Sequence, residues 1–451
     1  RLKNNILLKR EDLQPVFSFK LRGAYTKMYR LSSGERARGV ICASAGNHAQ
    51  GVALAANRLG IRAVIVMPVT PPAIKIDAVR RFGGANVEIV LHGDFYDAAS
   101  QHAKALQAQH GYTYIHPFDD PDVIAGQGTI ALEILTQHPH HIDAIFVPCG
   151  GGGLLAGIAV LAKSLRPDIK IIGVEPEDAA SMTTAVRGGT RQTLDHVGIF
   201  ADGVAVKMPG ELTYELIKQH VDDFVTVSTD EICAAMKDLF DDNRAIAEPS
   251  GAVAAAGSKK WAAGQPGKNL TLINIVSGAN INFDRLRYVA ERTEIGEQRE
   301  GLLAVTIPER PGSFLTFCTL LGDQNITEFN YRYQNTERAQ IFVGVQLTSG
   351  RAQLAALIDK LRENGYDSED LSDNELAKSH LRYMIGGISP GATGERLFRF
   401  GFPERPGAPL HFLHTLGTEN NISLFHYRNH GSDYGRVLAG IQSDRPEALE
   451  A

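Results

Sequence analysis

One lysine stands in the stretch VFSFKLRGAY (16–25), among apolar and small residues, with an arginine two places on. An amine so placed is either solvated at the start of a helix or shielded from water. Shielding disfavours the ammonium form, lowers the pKa and leaves a nucleophile able to form a Schiff base with a carbonyl. The tripeptide around Lys20 does not choose between the two, so the other reactive groups must.

In AIFVPCGGGGLLAGIAVLAKSL (144–165), four consecutive glycines, Gly150 to Gly153, separate an apolar run from a helical pattern that begins at Leu154. Glycines let the backbone turn tightly and aim successive N–H groups at an anion, and a helix N-terminus adds a favourable dipole. The pattern predicts a phosphate cradle. The lysine and Ser/Thr of a Walker loop are absent after the last glycine, and there is no G-x-G-x-x-G with a placed ribose-binding acid, although Glu175 does follow an apolar run. A phosphate with no lysine beside it points to a phosphorylated cofactor anchored by backbone alone.

The loop ASAGNHAQG (43–51) carries Ser44, Ala45, Gly46, Asn47 and His48 between an apolar run and an Ala-rich stretch. Ser and Asn are ordinary helix caps. The same loop also gathers the donors that a carboxylate or a phenolate oxygen needs. Glu248, in AIAEPSGA (245–252), precedes a proline at a helix start, where the helix dipole alone accounts for an acid.

The elements that must hold these groups are legible as short Val- and Ile-rich runs: GVICAS (39–44), IRAVIVMP (61–68), NVEIVLHG (86–93), AIFVPCG (144–150), IKIIGVEP (169–176) and LTLINIVSG (270–278). They alternate with Ala- and Leu-rich stretches of helical period, which predicts an α/β architecture with one or two parallel sheets. After a charged, helix-like connector at 282–300 the texture changes and a repeat appears. PERPG at 308–312 returns at 403–407, Asn-Ile at 325–326 returns at 421–422, and Tyr-Arg at 331–332 returns at 427–428. Each copy reads as strand, Pro-Gly turn, helix, strand, strand, and the first continues toward the ferredoxin-like βαββαβ order.

A chain of 451 residues with 43% apolar and 22% charged residues is composed like a globular protein of more than one domain. Its formal net charge of −5, spread along the chain, offers no basic stripe for nucleic acid and no polybasic membrane patch. No apolar run reaches membrane-spanning length. Cys42, Cys149, Cys233 and Cys318 are far apart and suit reduced thiols better than a disulfide framework or a metal site. The chain opens without a methionine, and its second repeat stops before a last helix and strand. Both read as truncations, which leaves an upstream targeting segment open.

The motifs SFKLRGA, SAGNHAQG, CGGGGL, AEPSGA and SGAN, in this order over residues 1 to about 290, resemble those of the fold-type II family of pyridoxal-phosphate enzymes. With the paired repeats, the whole chain resembles the threonine-deaminating members of that family. The resemblance implies a catalytic domain of two parallel-sheet subdomains at 1–295, then ACT-like regulatory subdomains at 296–378 and 379–451. It makes Lys20 the Schiff-base lysine that removes the substrate Cα proton. Phe19 packs near the ring, Asn47 bonds the ring hydroxyl, Gly150 to Gly153 with Leu154 hold the phosphate, and Ser277 faces the pyridine nitrogen. The loop Ser44, Ala45, Gly46, Asn47, His48 receives the substrate carboxylate.

The resemblance further implies elimination of water from L-threonine in a cytoplasmic homotetramer, inhibited by isoleucine, with valine opposing. The effector neighbourhoods would be Phe329, Asn330, Tyr331 and Arg332, and Phe425, His426, Tyr427 and Arg428. Related racemases carry a serine where this chain has Ala45, and a cation-binding acid near Gly198 and Ile199. Their absence argues against racemisation and against a required metal, leaving Asp202 an isolated acid. Serine dehydration or β-replacement on the same fold, and an amino-acid sensor without catalysis, are the competing readings.

Overall fold

The Val- and Ile-rich runs become buried parallel strands in a computed structural model that describes residues 4–265, 269–297, 299–308, 317, 319–321, 326–333, 338–379, 396–403, 421–428 and 434–442. The chain divides into two compact units, Arg1–Asn282 and Phe283–Ala451.

The first unit begins with β1 (Asn5–Arg10), α1 (Lys20–Tyr29), α2 (Ser33–Arg38), β2 (Val40–Ala43), α3 (Asn47–Leu59), β3 (Ala63–Met67), α4 (Ala73–Gly83), β4 (Val87–Leu91), α5 (Tyr96–His110) and β5 (Thr113–Tyr114). It continues with α6 (Pro121–Gln137), β6 (Ala144–Pro148), α7 (Gly153–Leu165), β7 (Lys170–Pro176), α8 (Ser181–Gly188), α9 (Glu211–His220), β8 (Asp223–Val227), α10 (Thr229–Asn243), α11 (Pro249–Ala263) and β9 (Thr271–Val276). These strands form two sheets, ordered β4-β3-β2-β5 and β1-β9-β6-β7-β8. Every pairing in both is parallel.

In the smaller sheet, Val40, Cys42, Ala63, Ile65 and Met67 join one core with residues of α1 and α3. Their neighbours Ile41, Ala43, Val64 and Val66 join another with Ala99 and Ala103 of α5. Alternate side chains face opposite sides of a strand, so helices on both faces leave β2 and β3 without a polar side, which is why they read as unbroken apolar runs. Parallel pairing puts the carboxyl ends of the strands on one edge, where ligands of open α/β sheets bind. Ser44, Cys149 and Ser277 each lie within a residue of such an end.

Arg22, the arginine two places after Lys20, fixes the helix that carries the lysine. Its guanidinium donates in a fork to both oxygens of the fully buried Glu11 carboxylate (2.7 and 2.8 Å) and to both of Glu133 on α6 (2.7 Å each). Burial opposes its charge, and these carboxylates outweigh that and raise its pKa. In turn Arg22 and Lys9 hold Glu133 down to about 2. Only a planar fork reaches two carboxylates at once.

Helices α1, α6 and α7 approach through glycine. A Cβ on Gly126 would lie 2.6 Å from the Arg22 carbonyl oxygen, and one on Gly157 would lie 2.4 Å from that of Ile124.

The second unit starts with α12 (Arg285–Gly296), which packs on β10 (Glu300–Pro308). The boundary expected at 295–296 thus falls at the end of this helix, whereas the units part before it. Then follow β11 (Ile326–Tyr333), β12 (Arg338–Gln346), a helix at Arg351–Glu363 and β13 (Asp367–Asp370), in an antiparallel sheet ordered β11-β12-β10-β13. That is the ferredoxin-like order. Leu303, Val305, Ile341 and Val343 face Leu354, Leu357 and Leu361 of the helix in one core.

The second copy supplies β14 (Arg396–Pro403), β15 (Asn421–Arg428) and β16 (Tyr434–Gln442), ordered β14-β16-β15 as β10, β12 and β11 are. The register break between Ile326 and Glu328 recurs between Ile422 and Leu424. Duplication therefore extends to an irregularity of the strand, not only to its sequence.

Gly157→Ala is expected to destabilise the first unit by about 1–3 kcal/mol through overpacking. Gly34→Ala, where the nearest atom is an arginine tip at 3.6 Å, is expected to stabilise it slightly. Urea unfolding midpoints of the two variants should move in opposite directions.

Candidate active site

The segment before Lys20 is pinned to the residues after β9. Asn280 Nδ2 donates to the Val16 carbonyl (2.8 Å), Ala279 N to that of Phe17 (2.9 Å), and Phe19 N donates to that of Ser277 (3.2 Å). Phe17 takes a left-handed conformation with φ of 56° to make this turn, an arrangement a bulky residue adopts only when its surroundings hold it there. Helix α1 then starts at Lys20 itself. Lys20 Nζ donates to the Pro117 carbonyl at 2.9 Å and lies 5.2 Å from the Phe19 ring centre. Burial lowers its pKa to about 8, against the opposing pull of the Glu248 charge. Lys20 as a whole is half-buried, and its amine end, bonded to the Pro117 carbonyl, is the part shielded from water, which matches the shielded reading.

Asn47 is not a helix cap. The N-cap of α3 is Gly46, and no side chain caps the helix. Ser44 Oγ instead accepts from Gly46 N at 3.2 Å. Asn47 Nδ2 donates to Glu248 Oε1 (2.6 Å), and Asn47 Oδ1 accepts from Asn280 Nδ2 (2.6 Å). Glu248 is buried, and burial together with Asp202 raises its pKa to about 7. The acid that the helix dipole would explain is therefore part of a network shared with Asn47. His48 is buried and its Nε2 lies 2.8 Å from the Ile115 carbonyl, to which it donates. Burial, then the nearby Lys20, drives its pKa down to about 3, so the ring is neutral and its ring N–H is committed to backbone. Ala45 is partly buried. A Cβ on Gly46 would meet nothing within 4 Å, so the space beside this loop is open.

The glycine run joins β6 to α7 as its sequence predicts. Gly152, the N-cap, has φ of 97° and α7 has no side-chain cap, so its first N–H groups are left for another acceptor. Each glycine is also needed for space. Added Cβ atoms would lie 2.9 Å from Val204 backbone at Gly150, 2.3 Å from the Phe118 ring at Gly151, 2.6 Å from Met182 at Gly152 and 2.8 Å from the Phe118 carbonyl at Gly153. Leu154 is buried. By contrast, α8 receives Glu175 on Met182 N and Thr183 N, and α9 receives Asp119 on Glu211 N and Thr213 N. Glu175 is thus an internal cap, and burial raises its pKa to about 7. An uncapped, glycine-walled helix start of this shape fits a phosphate group.

Ser277 directly follows β9, is buried, and donates its Oγ–H to the Ser250 carbonyl at 3.2 Å. Ser250 Oγ, close by, is buried and has no hydrogen-bond partner among the described residues, so the site holds hydroxyl capacity that these groups do not use. Asp202 accepts from Lys75 at 3.2 Å.

Sequence reasoning missed the segment His116-Pro117-Phe118-Asp119-Asp120, which connects the lysine to the glycine cradle. Pro117 receives Lys20, Phe118 packs on Gly151 and Gly153, Asp119 caps α9, and Asp120 caps α6 through Asp122 N and Val123 N. Only the last of these has a sequence signal, Asp before Pro at a helix start. The candidate effector residues Phe329 to Arg332 lie in β11 and Phe425 to Arg428 in β15. Their side chains, and Cys318, lie outside the described residues.

Residues 1–278 match the family of pyridoxal-phosphate dependent enzymes, and residues 291–381 and 387–451 match the C-terminal regulatory domain of threonine dehydratase. The chain belongs to the pyridoxal-phosphate dependent enzyme family, in the branch that carries this regulatory domain. It is 55% identical over 450 residues to the L-threonine dehydratase biosynthetic IlvA of Burkholderia multivorans, covering all of this chain and 89% of that one. With the Escherichia coli protein of the same name the identity is 57% over 442 residues, covering 98% and 85%. The solved processed form of threonine deaminase isoform 2 from Solanum lycopersicum superposes with a TM-score of 0.63 at 52% identity, covering 65% of this chain and 84% of that one.

Gly151→Ala is expected to weaken pyridoxal-phosphate binding by roughly ten- to a hundredfold, because Phe118 must move; equilibrium titration of the apoprotein reads this. Glu248→Gln removes the negative charge that supports the Lys20 ammonium, so the amine should titrate below about 8. The pH midpoint of cofactor association, which needs the neutral amine, should shift downward.

Proposed function

We infer that the chain is a threonine ammonia-lyase that converts L-threonine to 2-oxobutanoate and ammonia, the committed step toward isoleucine, with L-serine as a secondary substrate. The observation that carries this reading is the placement of one shielded amine, Lys20, against Pro117, next to the phenylalanine that packs on the uncapped glycine cradle. The chain's likeness to threonine dehydratases over its whole length supports the substrate.

Bound in this site, pyridoxal phosphate supplies an electron-withdrawing ring that acidifies the substrate Cα–H. Gly150 to Gly153 and Leu154 would hold the phosphate through backbone N–H groups at the uncapped start of α7. Phe19 would pack beside the ring, and Asn47, fixed by Glu248 and Asn280, would donate to the ring hydroxyl. The open loop Ser44, Ala45, Gly46, Asn47 and His48 orients the substrate carboxylate at the first turn of α3, His48 through its backbone because its ring N–H is occupied. Lys20, near neutrality in its pKa, takes the Cα proton.

Ser277, whose hydroxyl points to the Ser250 carbonyl at 3.2 Å, would turn that one proton to the ring nitrogen of bound pyridoxal phosphate, and as a neutral group it would not favour the protonated ring. Loss of the β-hydroxyl in step with, or soon after, proton loss is favoured over transamination. The released enamine exchanges its nitrogen with water to give the keto acid and ammonia. Ala45 offers no proton on the face opposite Lys20, which disfavours racemisation.

The two repeats form the regulatory part of a homotetramer in the cytoplasm, with isoleucine as inhibitor and valine as its opponent acting through the strands at 329–332 and 425–428. Effectors of this kind act only by binding two states unequally. No metal is assigned a part in the reaction.

Lys20→Ala should lower 2-oxobutanoate release by at least about a thousandfold, with circular dichroism unchanged. Retained turnover would remove Lys20 from its role. Wild-type initial rates from L-threonine should fall when isoleucine is added and recover with valine.

A further inference from the structure

Three consecutive residues reach the three parts of the site from one turn. The Pro117 carbonyl accepts from Lys20 Nζ at 2.9 Å. The Phe118 ring lies where a Cβ on Gly151 would come within 2.3 Å, and its backbone meets Gly153. The Asp119 carboxylate accepts from Glu211 N and Thr213 N at the start of α9 (2.9 and 3.1 Å), while Thr213 Oγ1 donates to the Gly151 carbonyl at 2.6 Å. A small rotation of this turn would displace lysine partner, cradle wall and helix cap together.

Within the turn, one side-chain atom gathers the backbone. His116 Nδ1 accepts from Phe118 N at 3.2 Å and from Asp119 N at 2.7 Å, and its ring stands edge-on to that of Phe118, 4.7 Å between centres. An unprotonated ring nitrogen here does the work of an Asn or Asp oxygen in an Asx turn, gathering the N–H groups two and three residues on. Accepting two donors leaves no room for a proton, so Nδ1 must be bare for the turn to keep its shape.

We propose that His116, through the lone pair of Nδ1, is the positioning residue that presents Pro117 to Lys20 and Phe118 to the glycine cradle, so that protonating it releases the cofactor. This rests on the functional reading above. The charged and titratable groups facing His116 are Asp119 and Asp120, which favour a proton, Lys20 and Lys104, which oppose it, the buried His48, whose own charge His116 opposes, and the Tyr114 ring, 6.1 Å between centres; burial is the largest influence and also opposes a proton. The imidazole is therefore neutral at neutral pH and takes a proton only below the usual histidine range. The protonated ring would confront the Phe118 and Asp119 N–H groups with a third donor.

The test compares wild type with His116→Asn, His116→Gln and His116→Ala. Asn Oδ1 sits one bond beyond Cγ, as His Nδ1 does, and keeps the acceptor without a titratable group. Gln carries the same amide one bond too far out. Pyridoxal-phosphate affinity is read by titration of each apoprotein, and retention is followed by the visible band as pH is lowered.

Expected are affinity losses on the order of tenfold or more for the Ala and Gln variants, restoration by Asn, and an acid-release midpoint lower in His116→Asn than in wild type. Equal affinity in all four proteins, or equal losses in the Asn and Ala variants, would overturn the role of Nδ1. An unchanged release midpoint in His116→Asn would overturn the protonation step. Wild type that binds no pyridoxal phosphate at neutral pH would instead overturn the functional reading itself.

Discussion

An amine that is to attack a carbonyl near neutral pH must be kept out of water without being paired to a carboxylate, and the architecture of the first unit follows from that constraint. Burial lowers the Lys20 pKa to about 8, and the group that receives its hydrogen bond is a neutral carbonyl, Pro117. A carboxylate at that position would hold the proton on the lysine. The nearest acid in electrostatic terms, Glu248, is itself raised to about 7 by burial, so the charge it can offer Lys20 is reduced where the enzyme works. The strong carboxylate partners of α1 are spent two residues away, on Arg22.

The site is assembled from pieces that are each tied twice. Residues 16–19 are bound to 277–280 by backbone and Asn280, which places Ser277 beside the lysine helix, and Asn280 also holds Asn47. Residues 116–120 bind Lys20 on one side and wall the glycine cradle on the other. Helix starts that have only to be stable, such as α2 and α10, are closed by Ser-Glu capping boxes. Helices α3 and α7 begin at glycine with no side-chain cap, an arrangement that suits an anion.

Much of this was legible because its signals are local. Val- and Ile-rich runs mark buried parallel strands, four glycines before an apolar helix mark a cradle, and the recurrence of PERPG and Tyr-Arg marks the duplicated sheet whose strand order the structure repeats. What was not legible depends on partners far along the chain. Pro117 lies 97 residues from the lysine it serves, and Asp119 caps a helix that starts 92 residues later. Asn47 reads as a cap until the structure shows Gly46 in that position and the amide turned to Glu248. The strand β8, DFVTV, is only half apolar because it is the edge of its sheet, and so gives no run to read.

Whether Lys20 alone is the amine that engages the cofactor is read most directly by chemistry. Wild type loaded with pyridoxal phosphate is reduced with borohydride, which makes the lysine–cofactor bond permanent, then digested, and the labelled peptide is located by mass spectrometry. The label is expected on Lys20, within the peptide that begins after Arg10. A label on another lysine, such as Lys75 or Lys207, or a label of equal yield in Lys20→Ala, would contradict it.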